Sequence, residues 1–167
     1  HIGGQIMAVS GPLARCVKDL EIALKAMSVE NYDDPWWAPI PFSMPMPEKK
    51  IALLTKIKGL KIDPIIVEEL KKAAKKLEQI GWIIEEPKAP NFQEAANYQA
   101  TLWLGEFRRT GGEVISKEND PDANFIYSQM CRRCPDTSLE KFMDSLQNRA
   151  RISREWNKFF DQYPIIL

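Results

Sequence analysis

The sequence predicts a helix-rich α/β fold, with part of a mixed, mostly parallel sheet covered by helices. Two observations carry this. Between residues 50 and 86 a short apolar run, an amphipathic helical stretch and a second apolar run follow one another, the order of a crossover between parallel strands. Two more stretches with apolar residues three and four apart, 91–110 and 138–161, supply further helices to cover such a sheet. A chain of 167 residues is long enough for one domain, able to bury roughly 70% of its unfolded surface.

Composition narrows the function classes. With 44% hydrophobic and 28% charged residues the chain reads as globular. Lys plus Arg equals Asp plus Glu at 23 each, so net charge favours neither nucleic acid nor an acidic membrane. No apolar run approaches the ~18 residues of a membrane span, and no secretory leader is visible. An odd number of cysteines, three, favours reduced thiols and a cytoplasmic setting over a disulfide framework. The single histidine is His1, which argues against a histidine-based triad or multi-histidine metal site within the chain.

In chain order, Ser10-Gly11-Pro12 is predicted to open a helix over 13–28, with a small residue at the cap and proline in the first turn. Leu13, Val17, Leu20, Leu24 and Met27 form its apolar stripe, and Arg15 and Asp19 are spaced to brace the other side. Residues 29–49 are a proline- and aromatic-rich connection. Pro35, Pro39, Pro41, Pro45 and Pro47 forbid helix and central strand. Trp36, Trp37, Ile40, Phe42, Met44 and Met46 are too apolar for a free linker, so the segment is expected to lie extended against the body.

Lys50–Thr55 reads as a buried strand. Asp63 and Pro64 start a helix that runs to about Gln79, with Ile66, Leu70, Ala73, Leu77 and Ile80 inward and Gly81 as the stop. Trp82–Glu86 is the second strand. Asn91 with Glu94 has capping-box spacing for a helix that stops at Gly111-Gly112. A polar loop is expected over 116–122, then a shorter helix from Pro121 with Phe125, Ile126 and Met130 on one side.

Cys131 and Cys134 form a single pair, short of the four ligands of a structural zinc site. They sit at a helix end rather than at the helix N-terminus that activates redox thiols, so a packed surface is the expected reading. Thr137 and Glu140 cap the longest helix, whose stripe includes Leu139, Phe142, Met143, Leu146, Ile152, Trp156 and Phe159. Its arginines are interrupted by Glu155 and Asp161, unlike a nucleic-acid surface. Tyr163–Leu167 resembles the first half of a buried strand, an odd place for a domain to stop.

The segment Ser10-Gly11-Pro12-Leu13-Ala14-Arg15, with Asp19 and then Tyr32-Asp33-Asp34-Pro35, resembles the end of the signature region of the amidase signature family. Only residues 10–35 are specific enough to count as motif; beyond them the likeness is one of element order. The resemblance implies that 1–167 is the C-terminal portion of a single amidase domain, an incomplete amidase signature fold with 29–49 as a connection within it. Enzymes of that family hydrolyse carboxamides without metal or organic cofactor. They use a Ser–Ser–Lys triad in which one serine is acylated, a second relays protons and a lysine acts as base.

Those catalytic parts lie upstream of the matched segment in the family, so no catalytic residue is carried over. Ser10, Gly11, Pro12, Arg15 and Asp19 match positions that look structural. Tyr98, Trp103, Phe125, Ile126 and Phe142 are the candidate substrate-pocket wall. The implied partner is a small amide, with a homodimer compatible and no nucleic acid or membrane expected. The alternative is a standalone α/β binding or scaffold module that uses the Trp36-Trp37 proline-rich surface; a thiol redox protein resting on Cys131 and Cys134 is a further reading.

Overall fold

The computed structural model describes residues 6, 8–42, 45 and 48–167. His1, Gln5, Met44, Met46 and Pro47 lie outside the described residues. The chain divides into two units, His1–Pro45 and Met46–Leu167.

In the first unit, helix α1 is Val17–Met27. It starts four residues later than the spacing predicts. Cys16, extended, occupies the N-cap without a capping side chain. Ser10 and Gly11 are exposed, and Leu13 is fully exposed at 101%. Residues 13–16 therefore have no packing to offset the cost of nucleating another turn. Arg15 precedes the helix, so the expected brace to Asp19 is absent. Asp19 instead lies in the first turn, where a carboxylate complements the positive helix end.

The connection that follows turns back on α1 rather than running straight. Asn31 Oδ1 accepts from Asp33 N at 3.1 Å and Asp34 Oδ1 from Trp36 N at 2.9 Å, two Asx turns in succession. The Trp37 indole N–H donates to the Ser28 carbonyl at 3.1 Å, and Lys25 Nζ stands 5.0 Å from the Phe42 ring centre.

The second unit is built on a parallel three-stranded sheet in the order β2-β1-β3. The strands are β1 (Lys50–Ala52), β2 (Ile83–Glu85) and β3 (Ile165–Ile166). Ile51 pairs with Ile84 on one side and Ile165 on the other. Hydrogen bonding continues past the strand ends, from Leu53 N to Glu85 O and from Leu54 N to Leu167 O, both at 2.8 Å. Residues 51–55 are accordingly all buried.

Helix α2 (Pro64–Gln79) crosses from β1 to β2, capped as expected by Asp63, which accepts from Ile65 N at 2.8 Å. Its packed side keeps Leu70, Ala73 and Leu77 of the predicted stripe and differs at both ends. Ala74 is buried, with Val67, Leu70, Ala73 and Leu77 beside it, while Ile66 and Ile80 are 54% and 66% exposed. Gly81, at φ +88, makes the left-handed turn into β2.

Helix α3 (Phe92–Thr110) is capped by Asn91, whose side chain accepts from Gln93 N and Glu94 N. Gly111 ends it without ending helical structure. Helix α4 (Gly112–Glu118) follows at once and occupies part of the expected polar loop. The break falls instead at Asn119, at φ +54, and Asp120 caps α5 (Pro121–Arg133). Asparagine tolerates the left-handed region and aspartate followed by proline begins a helix, so the punctuation is Asn-Asp-Pro rather than Gly-Gly.

Helix α6 (Leu139–Gln162) is the longest of the described helices. Ser138, not Thr137, caps it, accepting from Lys141 N at 3.3 Å. It packs along α3, where Leu102, Leu104 and Ile152 are buried. Gly105 permits this close approach, since a Cβ there would lie 3.1 Å from the Phe142 ring. Beyond it, Ala52, Leu54, Phe159 and Tyr163 form a core cluster closed by Ala89, Phe92, Trp156 and Ile166. Phe92 and Phe159 both meet Trp156 edge-on, with ring centres 5.0 and 5.6 Å away. Among the described residues no helix is long and apolar enough to cross a membrane.

Candidate functional site

Parallel pairing puts Lys50 and Glu85 on one face of the sheet, and the end of α6 brings Tyr163 over them. Lys50 Nζ lies 2.9 Å from Glu85 Oε1, and the Tyr163 hydroxyl donates to Glu85 Oε2 at 2.6 Å. Lys50 Nζ is also 4.9 Å from the Tyr163 ring centre. The tyrosine hydroxyl, then the lysine, hold the Glu85 carboxyl below its ordinary range. The same carboxylate raises Lys50 and Tyr163. These three side chains tie both paired elements to the helix end, and each is held in its ordinary charge state near neutrality.

A cleft of about 340 Å³ opens between α3 and the α5–α6 turn. Asn97 and Thr101 line it from α3, Cys134, Asp136 and Thr137 from the turn, and Lys141 from α6. Arg108 holds the turn in place by donating through Nη2 to the Cys134 carbonyl, with Nη1 3.7 Å from Asp136 Oδ1. The Thr137 hydroxyl is buried without a hydrogen-bond partner. The Cys134 thiol is 3.9 Å from Thr101 Oγ1, a weak contact. Cys131 and Cys134 are free thiols. Burial, then a hydrogen bond with Cys131, raises the Tyr127 phenol. Among the described residues no group of three or more His, Cys, Asp or Glu side chains is placed to hold a metal ion.

A second cleft, about 440 Å³, lies where the carboxyl ends of β1 and β2 meet the start of α3. Lys56 and Lys58 line it on one side, Pro87 and Lys88 on the other, and Phe92 below. Open α/β sheets bind ligands at this edge. Neither this cleft nor its basic lining is singled out by the sequence reading. The signal was there, in Lys-x-Lys after one strand and Lys between two prolines after the next.

The five residues expected to wall a substrate pocket are spread over three helices. Tyr98 and Trp103 are half-buried on α3, and Phe142 is half-buried on α6 against Gly105. Phe125 and Ile126 stand on α5 at 64% and 58% exposure, because α5 turns Tyr127, Met130 and Cys131 inward instead. The α3–α6 packing places Phe142 on the face of α3 that carries Gly105; none of the five lines either cleft.

Several serine hydroxyls serve their own helices. Ser28, Ser128 and Ser145 donate to the carbonyls of Leu24, Phe125 and Lys141 at 2.7–2.8 Å, and Ser138 is a cap. These are local backbone roles.

A parallel sheet crossed by α2 and covered by the α3–α6 pair, following the Ser-Gly-Pro-Leu-Ala-Arg segment, defines a class that comparison makes firm. The chain belongs to the Amidase family, which it matches over residues 3–167. It is 29% identical over 164 residues to an indoleacetamide hydrolase of Bradyrhizobium diazoefficiens, covering 97% of this chain and 31% of that protein. An indoleacetamide hydrolase of Bradyrhizobium japonicum is likewise 29% identical over 164 residues, 97% of this chain and 35% of the relative. The chain thus spans about a third of the length of the curated relatives it matches.

Proposed function

We propose that this chain works as the supporting part of a carboxamide hydrolase, with the acylated serine, the relay serine and the lysine base supplied from outside it. The observation that carries the reading is the family match over 3–167 in a chain covering about a third of its relatives. In this reading the sheet and its helices hold the catalytic layer in place. Attack of a serine on the amide carbonyl would release ammonia or amine, and water would then cleave the acyl-enzyme. Backbone donors beside the nucleophile would hold the oxyanion. Tyr98, Trp103, Phe125, Ile126 and Phe142 offer apolar surface for the substrate's side group, and Phe125 and Ile126 are the two exposed enough to touch it directly.

Indoleacetamide, the amide in the relatives' name, is the first substrate to try. The test is ammonia release from indoleacetamide by this chain alone and by the same chain joined to a family nucleophile loop and lysine-bearing strand. Cooperative melting checks that the joined form folds. Release from the joined form only is expected. Release from the chain alone, or none from a folded joined form, overturns the reading.

A further inference from the structure

The cleft at the carboxyl ends of β1 and β2 has an unbalanced charge. Three of its nine lining residues are lysines, Lys56, Lys58 and Lys88, and none is acidic. All three are exposed, and among the described residues none of them enters an ion pair. The neighbouring carboxylates are committed elsewhere: Glu85 to Lys50 and Tyr163, Glu94 to Arg151. Glu86 is exposed and pairs with none of the three.

The walls that carry these lysines are pre-formed. Leu60 N donates to Ile57 O at 3.1 Å, closing a turn in which Gly59, at φ +83, takes the position that requires a positive φ. Lys58 is therefore held at the corner of a hydrogen-bonded turn. Its neighbour Gly59 comes close to α3, where a Cβ would sit 3.7 Å from Gln93 Oε1. Across the cleft, Pro87 and Pro90 restrict the backbone on either side of Lys88. Phe92 and Ala89, below, pack against the core cluster. Asn91 already satisfies the Gln93 and Glu94 amides, so the ammonium groups rather than the helix end would carry recognition.

We propose that this cleft binds the anionic group, phosphate or carboxylate, of a small molecule. Its volume lies within the range of about 300–1,000 Å³ usual for small-ligand sites. Ammonium groups are compact point charges suited to either anion, and Ile57, Phe92 and the prolines offer apolar surface for the rest of the ligand. The inference stands apart from the amidase reading, since it names no step of amide hydrolysis.

The experiment is a titration of the isotopically labelled full chain with inorganic phosphate and, separately, acetate, at ionic strength held constant with sodium chloride. Backbone resonances of residues 56–58 and 88–92 are followed. Saturable shifts confined to these residues are expected with at least one anion, and the anion that saturates identifies the chemistry. Lys58→Gln and Lys88→Gln should each weaken binding about tenfold, Lys58→Arg should keep it, and Lys75→Gln on α2 should leave it unchanged. Melting curves verify that each variant folds. Non-saturating shifts equal to those of chloride, or equal weakening by Lys75→Gln, would overturn the assignment.

Discussion

Glu85 shows how much one side chain contributes when three elements converge on it. Its pKa is depressed by Tyr163 and Lys50, so its stabilisation is present above the unfolded value near 4.5 and is lost as pH falls through the lower folded value. Lys50 and Tyr163 are raised, so theirs is present below about pH 10 and is lost as pH rises through the folded values. Melting temperature should therefore fall on both flanks. Glu85→Gln should flatten the acid flank below pH 4.5, and Tyr163→Phe should shrink it while leaving the ring packed; an unchanged acid flank in both variants would refute the assignment. Capping is the other residue-scale contribution. Asn91 serves two backbone amides at once, and Asn91→Ala should cost about 1 kcal/mol in chemical denaturation. The sequence made both caps, Asp63 and Asn91, legible because capping is local chemistry. It did not reveal Glu85–Tyr163, whose partners are 78 positions apart.

At the level of elements, the helices that pack were readable and the boundaries that depend on packing were not. Apolar spacing placed α2, α3 and α6 within a residue or two, since each has a buried side to reward the pattern. α1 has the same spacing and no buried residue, and its first turn is missing. Gly111-Gly112 reads as a stop, yet the Phe107 and Tyr127 rings occupy the space where Cβ atoms would stand and the chain remains helical. Glycine there serves close packing rather than a helix stop. Two substitutions separate packing from turn formation. Leu102→Ala, in the fully buried seam between α3 and α6, should cost about 2–5 kcal/mol. Gly59→Ala should cost about 1–2 kcal/mol, because its positive φ disfavours any side chain. The two costs should add, since the sites are independent; both are measured by denaturant midpoint.

Over the whole molecule, the family was legible from one short segment while the candidate site was legible only in outline. Residues 10–35 carry the signature, and the match extends over 3–167. The five pocket-wall positions are four helical aromatics and Ile126, a pattern that serves packing as readily as binding. The structure uses Phe142 for packing against Gly105 and leaves Phe125 and Ile126 open. The lysine cleft is not legible as one site in the sequence, because its members come from two loops that only the parallel sheet brings together. Function at this scale turns on whether the chain carries a nucleophile of its own. The most direct measurement is the intact mass of the purified chain after treatment with a serine-directed fluorophosphonate. We predict an unmodified mass; stoichiometric addition of one phosphonyl group would contradict the proposal that the catalytic serine lies outside this chain.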